Sequence, residues 1–255
     1  MLLKNKVALV TGASRGIGAA IAKMYAKEGA IVIVNYLHNT QHAQTIVQSI
    51  ISQGGQAVAM QCDIRDQQEV HNMLQNILDN FGTIHIVVNN ALSQYQFDPK
   101  NRKLLGDLQW SDYQAQIDGS LKAVLNVVDF VLPKLKQNNE SSIINITSNL
   151  IQSPAIPYHD YIVGKSAVLG LTRTMAIELG AFGIRVNAIA PGLTVPTDSS
   201  QLTHRDVREK LIDQTPTGRL TTPEDVAGTA VYLATALSSN VTGQCLFVDG
   251  GLTMT

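Results

Sequence analysis

The sequence predicts an α/β fold: a single doubly wound domain, a seven-stranded parallel sheet with helices on both faces. Three observations carry that expectation. Short unbroken runs rich in Val, Ile and Ala recur along the chain, stretches of helical length separate them, and a glycine-rich turn follows the first run. A strand buried on both faces reads as a continuous apolar run, whereas a half-buried strand alternates. Strand and helix in regular alternation imply βαβ units, whose right-handed crossovers cover both sides of the sheet.

In chain order the strand candidates are residues 7–10, 31–35, 57–62, 84–89, 143–147, 184–190 and 245–248. Each is expected to be buried on both faces. Helical stretches fall between them at 18–28, 41–53, 66–80, 111–136, 158–182 and 223–236. Pro and Gly cluster at 153–157, 191–196 and 215–218, each after a predicted strand or helix. The crevice of an open parallel sheet lies beyond the strand carboxyl ends, so these loops are expected to wall a substrate. Residues 93–109 are polar and weakly patterned and read as a surface loop near the same rim. No linker, repeat or low-complexity tract divides the chain, so residues 1–255 are expected to form one domain.

Composition excludes several function classes. With 45% hydrophobic and 15% charged residues, the 255-residue chain can bury one large core rather than remain disordered. A net charge of −1 and the absence of a Lys/Arg run give nucleic acid nothing to bind. Cys62 and Cys245 lie in apolar runs and form no disulfide framework, which suits a reducing compartment. The first strand follows residue 6 directly, leaving no room for a signal sequence, and no apolar stretch reaches membrane-spanning length. A cytoplasmic protein without a membrane partner is the expectation.

Two patterns point to chemistry. In Thr11-Gly12-Ala13-Ser14-Arg15-Gly16-Ile17-Gly18, the glycines permit a tight turn and close backbone approach to a pyrophosphate. The helix that follows presents free N–H groups to negative charge. Further on, Tyr161 and Lys165 stand four residues apart, one helical turn, with Ser148 thirteen residues upstream. An ammonium beside a phenol favours its phenolate and lowers its pKa, giving an acid/base usable near neutrality. Tyr158, by contrast, has Ile162 rather than Lys four residues on. Glycine turn, hydroxyl, phenol and ammonium together read as a hydride-transfer enzyme.

The Thr-Gly-x-x-x-Gly-x-Gly spacing, with Ser148, Tyr161 and Lys165, resembles the short-chain dehydrogenase/reductase superfamily over nearly the whole chain. The resemblance implies a Rossmann-type domain and a nicotinamide dinucleotide held by Gly12, Ser14, Arg15, Gly16, Ile17 and Gly18. It assigns Asp63 and Ile64 to the adenine, Asn89, Asn90 and Ala91 to the cofactor's flank, and Pro191, Gly192 and Thr194 (or Thr197) to the nicotinamide carboxamide. Ser148 would hold the substrate oxygen, Tyr161 would exchange the proton, and Lys165 would bind the ribose and tune Tyr161.

Two positions depart from the family pattern: Leu92 stands where Gly is usual, and Ser120 where Asn is usual. That Asn bends its helix and holds a water linked to the lysine; Ser120 retains a hydroxyl but no amide. The counterparts of the helices at 111–136 and 158–182 imply a homotetramer.

The second strand ends Val34-Asn35-Tyr36-Leu37 without the acid that binds ribose hydroxyls in NAD-preferring enzymes. Asn35 and Tyr36 take that place, and Arg15 offers a guanidinium fork to a 2′-phosphate. NADP(H) is therefore favoured, with NAD(H) left open.

Within the family the pattern is closest to the 3-oxoacyl-[acyl-carrier-protein] reductases of bacterial fatty-acid synthesis. Those enzymes dock an acidic carrier through basic side chains at places that here read Gln137-Asn138-Asn139-Glu140 and Ala181-Phe182-Gly183, without arginine. A small free ketone, sugar or secondary alcohol stays open as substrate. So does a catalytically weak, dinucleotide-binding sensor. His38 and His42 have chelating spacing but no third ligand nearby, so no metal is expected.

Overall fold

Alternate side chains of the first strand, β1 (Val7–Val10), feed two separate cores. Ala8 and Val10 pack with Ile21, Tyr25, Val34 and Val226 on one face; Val7 and Leu9 pack with Ile33, Leu74, Val127 and Ile143 on the other. A period of two along a strand produces this division, and each fully buried Leu or Ile stabilises the fold by roughly 1.5–3 kcal/mol.

The computed structural model describes residues 1–92, 95–138 and 140–254. The remaining strands are β2 (Ile31–Tyr36), β3 (Gln56–Gln61), β4 (Ile86–Asn89), β5 (Ser141–Ile146), β6 (Ile184–Pro191) and β7 (Cys245–Val248). They form one seven-stranded parallel sheet in the order β3-β2-β1-β4-β5-β6-β7. Helices α1 (Gly16–Lys27), α2 (Thr40–Ser52) and α8 (Pro223–Ala234) cover the first face. The second face is covered by α3 (Gln67–Phe81), α5 (Ala123–Leu135) and α6 (His159–Leu179). Because β1 pairs with β2 on one side and β4 on the other, the strand order reverses there, and a crevice opens beyond their carboxyl ends.

Local chemistry fixes the helix ends. Asp66 caps α3 by accepting from the backbone N–H groups of Gln68 and Glu69, and Gly82, at φ 75°, closes it in the left-handed conformation. Thr222 and Asp225 form a reciprocal cap on α8 with Pro223 in its first turn, and Arg219 pairs with Asp225.

Several expectations are corrected. β3 and β7 are edge strands and are not buried on both faces: Gln56, Val58 and Gln61 are exposed, and all of β7 is half-buried. The fourth strand begins at Ile86, two residues later than the apolar run suggests. The long helix at 111–136 is two helices, α4 (Trp110–Ile117) and α5, joined by a π-helical segment at Asp118–Lys122. A further helix, α7 (Arg205–Gln214), was not expected: its apolar residues, Val207, Leu211 and Ile212, span little more than one turn and none is fully buried. Of the loop at 93–109, Ser93 and Gln94 lie outside the described residues, as does Asn139; the described part begins at Tyr95 and lies at the crevice rim, as expected. No described helix is long and apolar enough to cross a membrane.

Candidate active site

The turn after β1 is held from three sides. Gly12 and Gly16 adopt φ of 63° and 53°, values L side chains rarely take. A Cβ on Gly18 would lie 2.5 Å from Asn90 Nδ2 and 2.6 Å from the Gly12 carbonyl oxygen. The Asn90 amide donates to the carbonyls of Thr11 and Gly12, while the Thr11 hydroxyl accepts from the backbone of Asn90 and Ala91. Asn35 is buried: its Oδ1 accepts from the Gly12 N–H and its Nδ2 donates to the carbonyl of Cys62. Asn35 therefore supports the turn through both ends of its amide. Tyr36 is likewise buried.

Ser14, Arg15, Gly16 and Ile17 lead into α1, whose N-terminus carries no side-chain cap; its N–H groups remain available to an anion. These residues fit a dinucleotide: a backbone cradle that a Cβ would fill, at a helix N-terminus. Arg15 is half out in solvent and pairs with Asp198 at 2.6 Å. At the adenine end, the Asp63 carboxylate accepts a fork from Arg65, which with its backbone bonds holds it below the usual carboxylate range. Ile64 lends its carbonyl to Asn126.

Leu92, where glycine was expected, does not adopt a positive φ; among the described non-glycine residues only Asn5 does. The substitution therefore imposes no backbone strain. Asn89 donates to Asn145, which donates to Thr172 of α6, a buried chain tying β4 and β5 to the helix that carries Tyr161 and Lys165.

Ser148, Tyr161 and Lys165 converge at the carboxyl end of β5. The Ser148 hydroxyl lies beside the Tyr161 phenol and accepts from the Leu150 N–H. Lys165 Nζ donates to the Ile146 carbonyl at 2.8 Å and lies 6.0 Å from the Tyr161 ring centroid. All three side chains are buried. Here the structure corrects the sequence reading. Burial pushes the Tyr161 phenol up to about 12, the neighbouring Ser148 hydroxyl opposing it only in part, and pushes the Lys165 ammonium down to about 8. Desolvation outweighs the expected help from the lysine, because the ammonium is itself dry and turned to a carbonyl.

Ser120 is buried within the π-helical segment, which packs on α6. One turn earlier, Gln116 abuts Gly164, where a Cβ would come within 3.0 Å of its carbonyl oxygen.

The loop after β6 completes the crevice. Pro191 ends the strand, and Gly192 packs so closely on Asp249 that a Cβ would lie 2.8 Å from the Asp249 Cβ. Thr194 is buried, its hydroxyl donating to the Gly192 carbonyl, whereas Thr197 reaches back to within 3.5 Å of the Cβ position at Gly16.

Four residues beyond the predicted set shape the site: Asp198, Asp249, Tyr95 and Phe97. Asp249 is buried and accepts from the Asn149 amide and the backbone of Gly251 and Thr253, so it braces the turn that carries Ser148. Tyr95 and Phe97 press on the Tyr161 ring at centroid distances of 5.1 and 5.0 Å. Among the described residues no cluster of three His, Cys, Asp or Glu side chains could hold a metal.

Comparison with known proteins decides the family. Residues 12–253 match a family model described as Enoyl-(Acyl carrier protein) reductase. The 3-oxoacyl-[acyl-carrier-protein] reductase FabG of Staphylococcus epidermidis is 35% identical over 98% of this chain and all of its own length. The chain belongs to the short-chain dehydrogenase/reductase family. A 3-oxoacyl-[acyl-carrier-protein] reductase of Synechocystis is 38% identical over 99% of this chain and 98% of its own. Glucose 1-dehydrogenase 2 of Bacillus subtilis is 34% identical over 99% and 96%. Among solved structures, a dehydrogenase/reductase from Sinorhizobium meliloti superposes with a TM-score of 0.88 at 33% identity, covering 99% of this chain and 96% of its own. This short-chain dehydrogenase/reductase is thus an oxidoreductase that interconverts a carbonyl and an alcohol with a nicotinamide dinucleotide.

Proposed function

We propose that the chain reduces the ketone of 3-oxoacyl substrates with NADPH, taking them from an acyl carrier protein. The observation that carries this reading is the buried Ser148–Tyr161 hydroxyl pair with Lys165 one helical turn on. Two hydroxyls side by side can grip one carbonyl oxygen. Held near 12, the Tyr161 phenol keeps its proton at neutral pH and is set to give it to that oxygen. When bound, the nicotinamide supplies two electrons and a hydrogen as hydride to the carbonyl carbon. The C=O π bond closes onto oxygen, which takes the Tyr161 proton, and solvent restores that proton.

Gly12, Ser14, Gly16, Ile17 and Gly18 would hold the pyrophosphate, and Lys165, Pro191 and Gly192 would face the nicotinamide half. Arg15, at the turn beside a β2 end without acid, supports NADPH over NADH. Two curated relatives named as 3-oxoacyl-[acyl-carrier-protein] reductases support the substrate. The chain would work in the cytoplasm as a homotetramer, with the exposed apolar side chains of Trp110 on α4 (70%) and Ile177 on α6 (85%) open to contacts between copies.

A free ketone remains the second reading, because the carrier-docking places lack arginine and Lys136, which borders them, lies over the Phe182 ring at 4.2 Å. The test is turnover of a 3-oxoacyl group on carrier protein against the same group on a free thioester. The carrier-linked form should react at least about tenfold faster in kcat/KM; equal rates would remove the carrier from the account.

A further inference from the structure

Four aromatic rings pack into one cluster at the mouth of the site. Tyr95 and Phe97 come from the loop after β4, Tyr158 and Tyr161 from the start of α6. Ring centroids lie 5.3 Å apart for Tyr95–Phe97, 5.8 Å for Tyr95–Tyr158 and 5.4 Å for Phe97–Tyr158, besides the two contacts on Tyr161. Phe97 Cα is tethered at both backbone groups: its N–H donates to the Ser199 carbonyl and its carbonyl accepts from the Thr203 hydroxyl. The Tyr95 hydroxyl donates to Asp160 at 3.0 Å. The rings are thus fixed in place from the segment after β6 and from α6.

What this wall lacks is also informative. Asp160 is engaged by Tyr95, and Asp98 by Lys100 and Asn101. The rings next to Tyr161 offer carbon faces, which suit a flat apolar group and serve a polyhydroxylated one poorly. One polar group is left over: the Tyr158 hydroxyl is buried and has no hydrogen-bond partner among the described residues. A buried, unmatched hydroxyl is costly unless something else meets it.

We propose that Tyr95, Phe97 and Tyr158 form the wall that selects the substrate, and that the chain prefers 3-oxo compounds with an aromatic ring beside the reacting ketone. The Tyr158 hydroxyl donates to the second oxygen of such a compound. This rests on the reading of Ser148 and Tyr161 as the carbonyl site.

The experiment compares ethyl 3-oxo-3-phenylpropanoate, ethyl 3-oxobutanoate, acetophenone and glucose, with NADPH for the ketones and NADP+ for the sugar. The phenyl ketoester should exceed its methyl counterpart by about tenfold in kcat/KM, or about 1.4 kcal/mol. Phe97→Ala and Tyr95→Ala should each bring that ratio towards one. Tyr158→Phe should raise KM for the phenyl ketoester and leave KM for acetophenone, which has no second oxygen, as it was. Calorimetric titration of the two ketoesters into the Tyr161→Phe protein reads the wall without turnover, and the same preference should appear. Equal kcat/KM and equal affinity for the two ketoesters, or faster oxidation of glucose, would overturn the proposal. If no ketone is reduced but the binding preference persists, carbonyl reduction fails as the function and the wall stands.

Discussion

The Asp198 carboxylate sits 2.6 Å from the Arg15 guanidinium, joining the loop after β6 to the glycine turn across 183 residues of chain. A phosphate on the cofactor's ribose would compete with that carboxylate for the same fork. Arg15→Ala should weaken NADPH binding about tenfold or more and leave NADH binding nearly unchanged. Asp198→Asn should strengthen NADPH binding by no more than about fivefold, because exposed ion pairs contribute roughly 0–1 kcal/mol. Fluorescence titration of both cofactors measures this, and equal losses for the two in Arg15→Ala would argue that no 2′-phosphate is read there.

The buried pair makes stability depend on alkaline pH in two opposite limbs. For Lys165, at about 8 in the fold against an ordinary 10.5, the unfolded chain holds more protons between those values, so stability rises with pH across that window. For Tyr161, at about 12 against 10.0, the folded chain holds more protons, so stability falls as pH rises above 10. Urea midpoints of the cofactor-free protein should therefore climb from about pH 8 to about pH 9 and decline beyond about pH 10, where Cys62, Tyr25, Tyr95 and Tyr158, also raised by burial, add to the fall. Lys165→Met should remove the climb, and Tyr161→Phe should make the decline shallower without abolishing it; a pH-independent profile in the parent chain would contradict the burial argument.

How much of this was legible beforehand depended on distance along the chain. β1, the glycine turn and α1 are contiguous, and Tyr161 and Lys165 share one helical turn, so local spacing revealed them. The split of the long helix at Asp118–Lys122 left no trace in the apolar pattern, because a π turn keeps the same apolar content; only the resemblance at Ser120 hinted at a bend there. Tyr95 and Phe97 lie in a segment without periodicity, and only the folded chain brings them to Tyr161. The sign of the Tyr161 shift failed for a related reason. Sequence displays the neighbouring charge, but burial, the larger effect here, exists only in three dimensions.

Asp249 links the C-terminal turn to the Ser148 turn through Asn149. Removing its carboxylate in Asp249→Ala leaves the Asn149 amide and the N–H groups of Gly251 and Thr253 unmatched, a cost of about 2–4 kcal/mol. The expected result is a lower urea midpoint together with a kcat loss at saturating substrate, since Ser148 would be less firmly placed. Full activity in a folded Asp249→Ala protein would show that this brace is dispensable.

At Gly18 the added methyl of Gly18→Ala would meet Asn90 Nδ2, which can swing away, and the Gly12 carbonyl, which cannot. Overpacking of this kind costs about 1–3 kcal/mol. Dinucleotide affinity should fall at least as much, because the shifted atom belongs to the cradle itself; unaltered cofactor affinity by calorimetry would exclude the turn as the pyrophosphate site.

The central claim is that the Tyr161 hydroxyl delivers the proton while the carbonyl carbon is reduced. Its most direct test is the single-turnover rate of NADPH oxidation by a 3-oxoacyl thioester in the Tyr161→Phe protein, with NADPH affinity measured on the same sample. The account predicts a rate lower by roughly 10²–10⁴-fold with cofactor affinity within about twofold of the parent. A rate within a few fold of the parent, at unchanged affinity, would contradict it.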